Sequence, residues 1–311
     1  GSRLAVAEAL TNLVFAPLRH GLKGVSLSAN WMWPARQGGE NARLYDAVRA
    51  ISDLAVDLGI NIPTGKDSLS MTQRYPDGSM VLSPGTVIVS AIAETQEVWK
   101  VPPASLRIGL PSKLVYVPFT RSPFALGGTA LAQSLGRSGE VTADIPDPEY
   151  LVRAFEGVQQ LVTSGHVLAG HDVSAGGLVT CLLEMAFPQH GLALEVDTSH
   201  LDTADPVLAL FAERPGVVLQ VTDEQQVLDA LEENEVEACV IAACVEGTTL
   251  RWTHGTWKEA WDIPSLRNDW YRTSFLMDQH QTEPAHAKQR LENFSHQVLH
   301  YRFPKGFRGK L

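Results

Sequence analysis

Beyond residue 113 the chain alternates short apolar runs with amphipathic segments, and this alternation limits the possible folds more than any other feature. Strand-like runs at 114–119, 167–170, 192–196, 217–221 and 239–245 are separated by helical patterns at 127–135, 149–163, 176–187, 207–212 and 224–233. A period of two and a period of 3.6 demand different backbones, so the pattern predicts a mixed α/β domain of about 160 residues. Val101-Pro102-Pro103 interrupts any regular element just before it and reads as a linker. With 311 residues, the chain has room for about two domains.

The part ahead of the linker opens on a helix. With Leu10 at zero and 100° per residue, Val6, Leu13, Val14 and Pro17 fall within about 60° of it. Glu8 and Asn12 fall near 160° and 200°, one turn apart, flanked by Leu4 and Phe15. A short strand at 24–29 and a Gly/Pro/Trp-rich turn at 30–40 come next. A helix through Leu44, Val48, Ile51, Leu54 and Leu58 follows. Tyr75-Pro76-Asp77-Gly78 separates strand-like stretches at 68–74 and 81–94, as a hairpin requires. At the far end, 263–283 contains a helix, and a basic tail carries Arg302, Lys305, Arg308 and Lys310.

Charge and composition exclude several function classes. The balance of 25 Lys+Arg against 35 Asp+Glu gives a net charge of -10, which argues against holding nucleic acid by wholesale phosphate neutralisation. No apolar run approaches the ~20 residues of a membrane helix, and three cysteines supply neither a disulfide framework nor a zinc site. The expectation is a soluble, cytoplasmic protein with a small-molecule ligand.

Three places can carry chemistry. Glu8 and Asn12 at i and i+4 present a carboxylate and an amide carbonyl, hard oxygens suited to Mg²⁺. Spacing alone equally fits a surface Glu beside a locally bonded Asn. His171-Asp172-Val173-Ser174-Ala175-Gly176-Gly177 joins an apolar strand to a long helix, and such a turn aims free amides at an anion. There Asp172 can hold a metal and Ser174 can donate to a phosphate, or either can simply cap the helix. His171 reads as a hydrogen-bonded, partly buried histidine. Gly65-Lys66-Asp67-Ser68 resembles the end of a Walker A motif, but Ile60 stands where the upstream glycine belongs and a strand follows. The P-loop reading fails, leaving either a ligand contact at a strand mouth or an ordinary loop. Gly127-Gly128-Thr129 opens a helix, and Cys181 sits within one as core.

Taken together, these stretches resemble one family. Arg3-Leu4-Ala5-Val6-Ala7-Glu8-Ala9-Leu10-Thr11-Asn12, Leu27-Ser28-Ala29-Asn30-Trp31-Met32, Ile62-Pro63-Thr64-Gly65-Lys66-Asp67-Ser68-Leu69-Ser70-Met71, Ala125-Leu126-Gly127-Gly128-Thr129 and Ala169-Gly170-His171-Asp172 are similar, in order, to the large multidomain phosphoribosylformylglycinamidine synthases. The resemblance implies an α/β (α+β), aminoimidazole-ribonucleotide-synthetase-like (PurM-like) two-domain fold whose N-terminal half is truncated. It implies a first domain at 1–100, a second at 104–262, and a helical or irregular linker at 263–311 toward a glutaminase domain. It implies Glu8, Asn12 and Asp172 as Mg²⁺ ligands, and Ser174, Lys66, Asp67 and Ser68 as contacts to ATP or ADP. It further implies an ATP-dependent ligase of purine biosynthesis that makes formylglycinamidine ribonucleotide with nitrogen from glutamine.

The chain resembles only the second synthetase repeat of that family. A first repeat and a glutaminase domain would be its partners, an acidic metal ligand upstream of the first helix has no counterpart, and Ala175 stands where many relatives carry Asp. The chain on its own is expected to be inactive and to form a homodimer through its N-terminal half. The competing readings are a non-catalytic, nucleotide-stabilised scaffold half, or another ATP-dependent kinase or synthetase of the same superfamily.

Overall fold

The computed structural model describes residues 1–296 and 305–306, so Arg302, Arg308 and Lys310 of the basic tail lie outside the described residues. Gly1–Trp261 form one unit and the chain from Asp262 forms a second. The first unit opens with helix α1 (Ser2–Leu13), strand β1 (Ser26–Met32) and helix α2 (Glu40–Leu58). Strands β2 (Asn61–Ser68), β3 (Thr72–Arg74), β4 (Met80–Leu82) and β5 (Thr86–Ile92) follow. β1 lies between a parallel β2 and an antiparallel β5, in the order β2-β1-β5. The expected hairpin is the pair β3–β4, with Arg74 opposite Met80, and Pro84-Gly85 then separates it from β5.

The second sheet has seven strands. They are β6 (Lys113–Pro118), β7 (Ala169–Val173), β8 (Leu192–Asp197), β9 (Gly216–Val221), β10 (Cys239–Glu246), β11 (Thr249–His254) and β12 (Trp257–Asp262), in the order β12-β11-β8-β10-β6-β9-β7. Helices α3 (Ala130–Ser134), α4 (Pro148–Thr163), α5 (Gly177–Ala186), α6 (Pro206–Phe211) and α7 (Glu224–Glu232) connect them. All six residues of β9 are buried, as expected for an inner strand covered on both faces. The fold is thus the mixed α/β arrangement that the alternation requires.

One buried cluster runs across the Pro102-Pro103 break. It takes Val6, Leu10 and Val14 from α1 and its exit, Leu27 from β1 and Ile51 from α2, together with Val115, Phe155, Val158 and Leu219. Helix α1 packs on α2, β5 and β7, so the face of Val6, Leu10 and Val14 predicted from periodicity is the one buried. Gly170 on β7 is needed there, because a Cβ at that position would collide with the Phe15 ring at the end of α1.

Several elements differ from the sequence expectation. Gly65-Lys66-Asp67-Ser68 is no loop before a strand but the last half of β2. Gly65 permits the close approach of β1, since a Cβ there would meet the Ala29 carbonyl. β1 runs on through Asn30, Trp31 and Met32, which were expected in a turn, because both neighbours continue the ladder. β7 likewise includes His171 and Asp172 and ends at Val173, since β9 pairs with it to that point. Backbone pairing is indifferent to side-chain polarity, so these polar ends escape a hydrophobic pattern. β11 and β12 lie beyond the expected strands. In β11, Leu250, Trp252 and His254 alternate inward, and His254 Nδ1 and Trp252 Nε1 both meet Thr198 Oγ1, at 3.0 and 2.8 Å.

The second unit contains α8 (Ile263–Gln281), the helix expected within 263–283, and α9 (Pro284–Asn293). Arg290 clasps Asp278 through Nε at 2.7 Å and Nη2 at 2.8 Å, and Tyr271 stacks on Phe294 with ring centroids 4.0 Å apart. No helix among the described residues is long and apolar enough to cross a membrane.

Candidate nucleotide site

Helix α1 and the edge strand β7 bring two of the candidate segments together. Glu8 and Asn12 lie on the exposed side of α1, opposite its buried face. Asn12 Nδ2 donates to the Glu8 carbonyl at 2.9 Å and lies 3.4 Å from Asp172 Oδ2, a contact between residues 160 positions apart. Asp172 is buried. In this geometry the amide nitrogen of Asn12 faces the carboxylate. For its oxygen to meet a metal, the amide must turn over about its last torsion and release the Glu8 carbonyl.

The electrostatics of the site are those of crowded carboxylates. Burial raises the Glu8 carboxyl above the usual range, and the negative charges of Asp172 and Glu213 raise it further. His171 stands on the other side of Asp172, with Nδ1 2.8 Å from the Asp172 carbonyl and 3.4 Å from Oδ1, and Nε2 3.6 Å from Glu184 Oε2. Its bond to Asp172 pushes the imidazole up to about 11, so it is a half-buried cation that partly balances the acids. This is the hydrogen-bonded histidine expected from the sequence.

Among the described residues, no three His, Cys, Asp or Glu side chains form a ready-made metal cage. The donor set is nonetheless right in kind for Mg²⁺: two carboxylates and an amide, with mutual repulsion at Glu8 that a divalent cation would relieve.

Ser174 sits in the turn after β7, and its carbonyl accepts from Gly177 N at 3.0 Å. Neither Ser174 nor Asp172 caps α5. The N-cap is Gly176 in the left-handed conformation, and its amide donates to Glu213 Oε1 at 2.8 Å. The same oxygen accepts from Ala130 N at 2.7 Å, at the start of α3, where Thr129 is the cap. Glu213 therefore ties the Gly127-Gly128-Thr129 turn to the Ser174-Ala175-Gly176 turn through one carboxylate oxygen. Sequence reasoning missed it. It stands 37 residues from Gly176 and 83 from Ala130, and no local spacing signals such a contact.

Lys66, Asp67 and Ser68 stand apart from this group. They pair with Asn30, Trp31 and Met32 of β1, and Lys66 Nζ donates to Ser68 Oγ at 3.1 Å. Lys66 and Asp67, with Trp31, Leu44 and Val48, line a concavity of about 380 Å³ that includes none of Glu8, Asn12, Asp172 or Ser174.

Comparison with known proteins agrees with this architecture. Residues 1–94 match the model of the FGAR-AT PurM_N-like domain, and residues 114–254 that of the AIR synthase related protein, C-terminal domain. The chain is 40% identical over 291 residues to the Homo sapiens phosphoribosylformylglycinamidine synthase, covering 91% of this chain and 21% of that protein. It is 37% identical over 286 residues to a probable phosphoribosylformylglycinamidine synthase, chloroplastic/mitochondrial, of Arabidopsis thaliana, covering 89% and 20%. The structure of T. maritima PurL complexed with ATP superposes with a TM-score of 0.61 at 13% identity, over 86% of this chain and 41% of that one, a likeness of PurM-like fold. The chain thus spans about a fifth of the length of the curated relatives it matches. Matched along nine-tenths of its length and folded in the same way, it belongs to the phosphoribosylformylglycinamidine synthase family.

Proposed function

We propose that Glu8, Asn12 and Asp172 hold Mg²⁺ and that Ser174 and this ion bind ATP or ADP as a structural nucleotide. The site would serve a longer ATP-dependent ligase that makes formylglycinamidine ribonucleotide with nitrogen from glutamine. The observation that carries this reading is the approach of Asn12 to Asp172 at 3.4 Å, with Glu8 one turn away in the field of the same carboxylate. Bound Mg²⁺ would supply charge neutralisation for the nucleotide phosphates. The chain's own residues do the rest. Glu8 and Asp172 supply the negative charge, the His171 ring lies 3.4 Å from the Asp172 carboxylate, and Glu213 fixes the turn that carries Ser174. Because α1 and β7 each contribute, the ligand would fasten the N-terminal helix to the larger sheet.

Lys66, Asp67 and Ser68 would contact a nucleotide or a related phosphorylated ligand at a second place, on β2. The first synthetase repeat and the glutaminase domain would be supplied by the longer protein, and we assign no turnover to 1–311 alone. Within this reading, 1–100 and 104–262 act as the paired halves of one repeat.

Calorimetric titration with ADP tests the site. Binding is expected with Mg²⁺ and not with EDTA, weakened at least about tenfold in Glu8→Ala. It should be unchanged in Gln225→Ala, whose exposed side chain bonds Asp229 one turn along α7. Equal affinity in Glu8→Ala, or binding indifferent to Mg²⁺, removes the assignment.

The open face of the small sheet supports the dimer reading. Ile88 and Ile92 of β5 are 51% and 68% exposed on the side away from α1, and β2 and β5 are both edge strands. Sedimentation is expected to give a dimer that Ile88→Lys dissociates. A parent chain that sediments as a monomer at tens of micromolar would count against it.

A further inference from the structure

One cavity in the first unit belongs to none of the places described above. It has a volume of about 430 Å³ and lies where β6 ends and β10 begins, beside the segment that leads into β9. Glu213 and Arg214 are adjacent in that segment but serve different surroundings. The Glu213 carboxylate takes the amides of Gly176 and Ala130, whereas the Arg214 guanidinium lines the cavity.

Three donors in the lining are incompletely used. Arg214 lies 4.9 Å above the Phe124 ring and donates through Nη2 to the Thr120 carbonyl at 2.8 Å. Its Nε is buried without a partner, and no carboxylate pairs with it among the described residues. Tyr116 is 3% exposed and lines the cavity, yet its hydroxyl makes no hydrogen bond among the described residues. Ser122, also buried, accepts from Asp144 N at 3.1 Å through Oγ, which leaves its own O–H free to donate.

The other charges nearby do not cancel Arg214. Arg121 is already paired with Glu237, Nε to Oε1 at 3.0 Å, so that couple is neutral. Asp202 and His200 are exposed members of the lining. A half-buried guanidinium with a spare donor, a buried phenol without a partner and a free hydroxyl beside apolar walls favour an anion on a small apolar body. The volume falls within the range of small-molecule sites.

We propose that this cavity binds a small organic anion, its charged head on Arg214, Tyr116 and Ser122 and its apolar body against Phe124. The head is a carboxylate or a phosphate monoester, both of which fit the guanidinium fork. This site is separate from the Mg²⁺-nucleotide site proposed above and does not depend on it.

Cys239 lines the same cavity and reports its occupancy. Cys244, five residues further along β10, lines a different concavity and serves as the internal reference. The rate of alkylation at each thiol by iodoacetamide is followed by peptide mass spectrometry, with millimolar phenyl phosphate or benzoate as probes. At least one probe is expected to slow Cys239 several-fold while leaving Cys244 unchanged, equally with Mg²⁺ and with EDTA. Protection by phenyl phosphate alone identifies a phosphate head, and protection by benzoate a carboxylate. Arg214→Gln should abolish protection. Tyr116→Phe should weaken the probe about tenfold without loss of folding, because the phenol has no protein partner to lose. A merely structural tyrosine would leave protection unchanged. Failure of both probes, protection that needs Mg²⁺, or full protection in Tyr116→Phe would overturn the proposal. The last of these decides the matter even if Arg214→Gln does not fold.

Discussion

Replacing Gln159 with leucine is expected to destabilise the Gly1–Trp261 unit by about 3 kcal/mol, seen as a fall of about 1 M in the urea midpoint. Gln159 on α4 is buried, yet all its bonds go to the segment that follows α1. Its Nε2 donates to the Val14 carbonyl at 2.5 Å and the Ala16 carbonyl at 2.7 Å, and its Oε1 accepts from Leu18 N at 2.9 Å. Leucine nearly preserves the volume but leaves two carbonyls and one amide without partners, the Val14 carbonyl buried and the other two groups partly buried. That asymmetry sets the cost, since an unmade buried bond is worth more than a made one. Gln159→Glu should also be damaging, because a carboxylate cannot donate to the two carbonyls. The exit of α1 orients Glu8 and Asn12, so both variants should also weaken nucleotide binding. A midpoint within experimental error of the parent would show that the segment is held by packing alone.

Asp172→Asn is expected to remove the rise in melting temperature that Mg²⁺ and ADP produce together. At a hundredfold excess over Kd, a ligand that binds only the folded chain contributes about 2.7 kcal/mol. For a unit of this size that corresponds to about 5–10 °C. The substitution has opposing effects on the free protein. It relieves the repulsion that raises Glu8, and it removes the partner that holds His171 protonated. The test is therefore the difference between melting curves with and without ligand, measured in each variant against itself. Lys66→Ala should keep most of the rise, since Lys66 bonds Ser68 on β2 and shares no contact with Glu8 or Asp172 among the described residues. A full rise in Asp172→Asn would show that the nucleotide sits elsewhere.

Much of the architecture is legible before any coordinates. The alternation beyond the linker locates β6, β8, β9 and β10 and the helices between them to within three residues. The reason is that buried inner strands and amphipathic helices must carry their burial in their own residue periodicity. The face of α1 that is buried follows from the same arithmetic. β2 and the polar ends of β1 and β7 were hidden. Their membership in a sheet rests on backbone bonds to neighbours remote in sequence, and Pro63, Gly65, Asn30 and Asp172 all argue locally against a strand.

The candidate site divides along the same line. Sequence by itself determined which residue types can offer hard oxygen, that Glu8 and Asn12 share one side of a helix, and that a glycine turn leads from the apolar run at 167–170 into a helix. It also carried the family likeness, because ordered motifs survive in sequence. Only the tertiary structure decided that Asn12 meets Asp172, that Lys66, Asp67 and Ser68 lie elsewhere, and that Glu213 holds the two glycine turns together. The physical reason is range. Helical spacing and hydrophobic periodicity act within a few residues, whereas a contact across 160 positions exists only once α1, β7 and the core between them have packed.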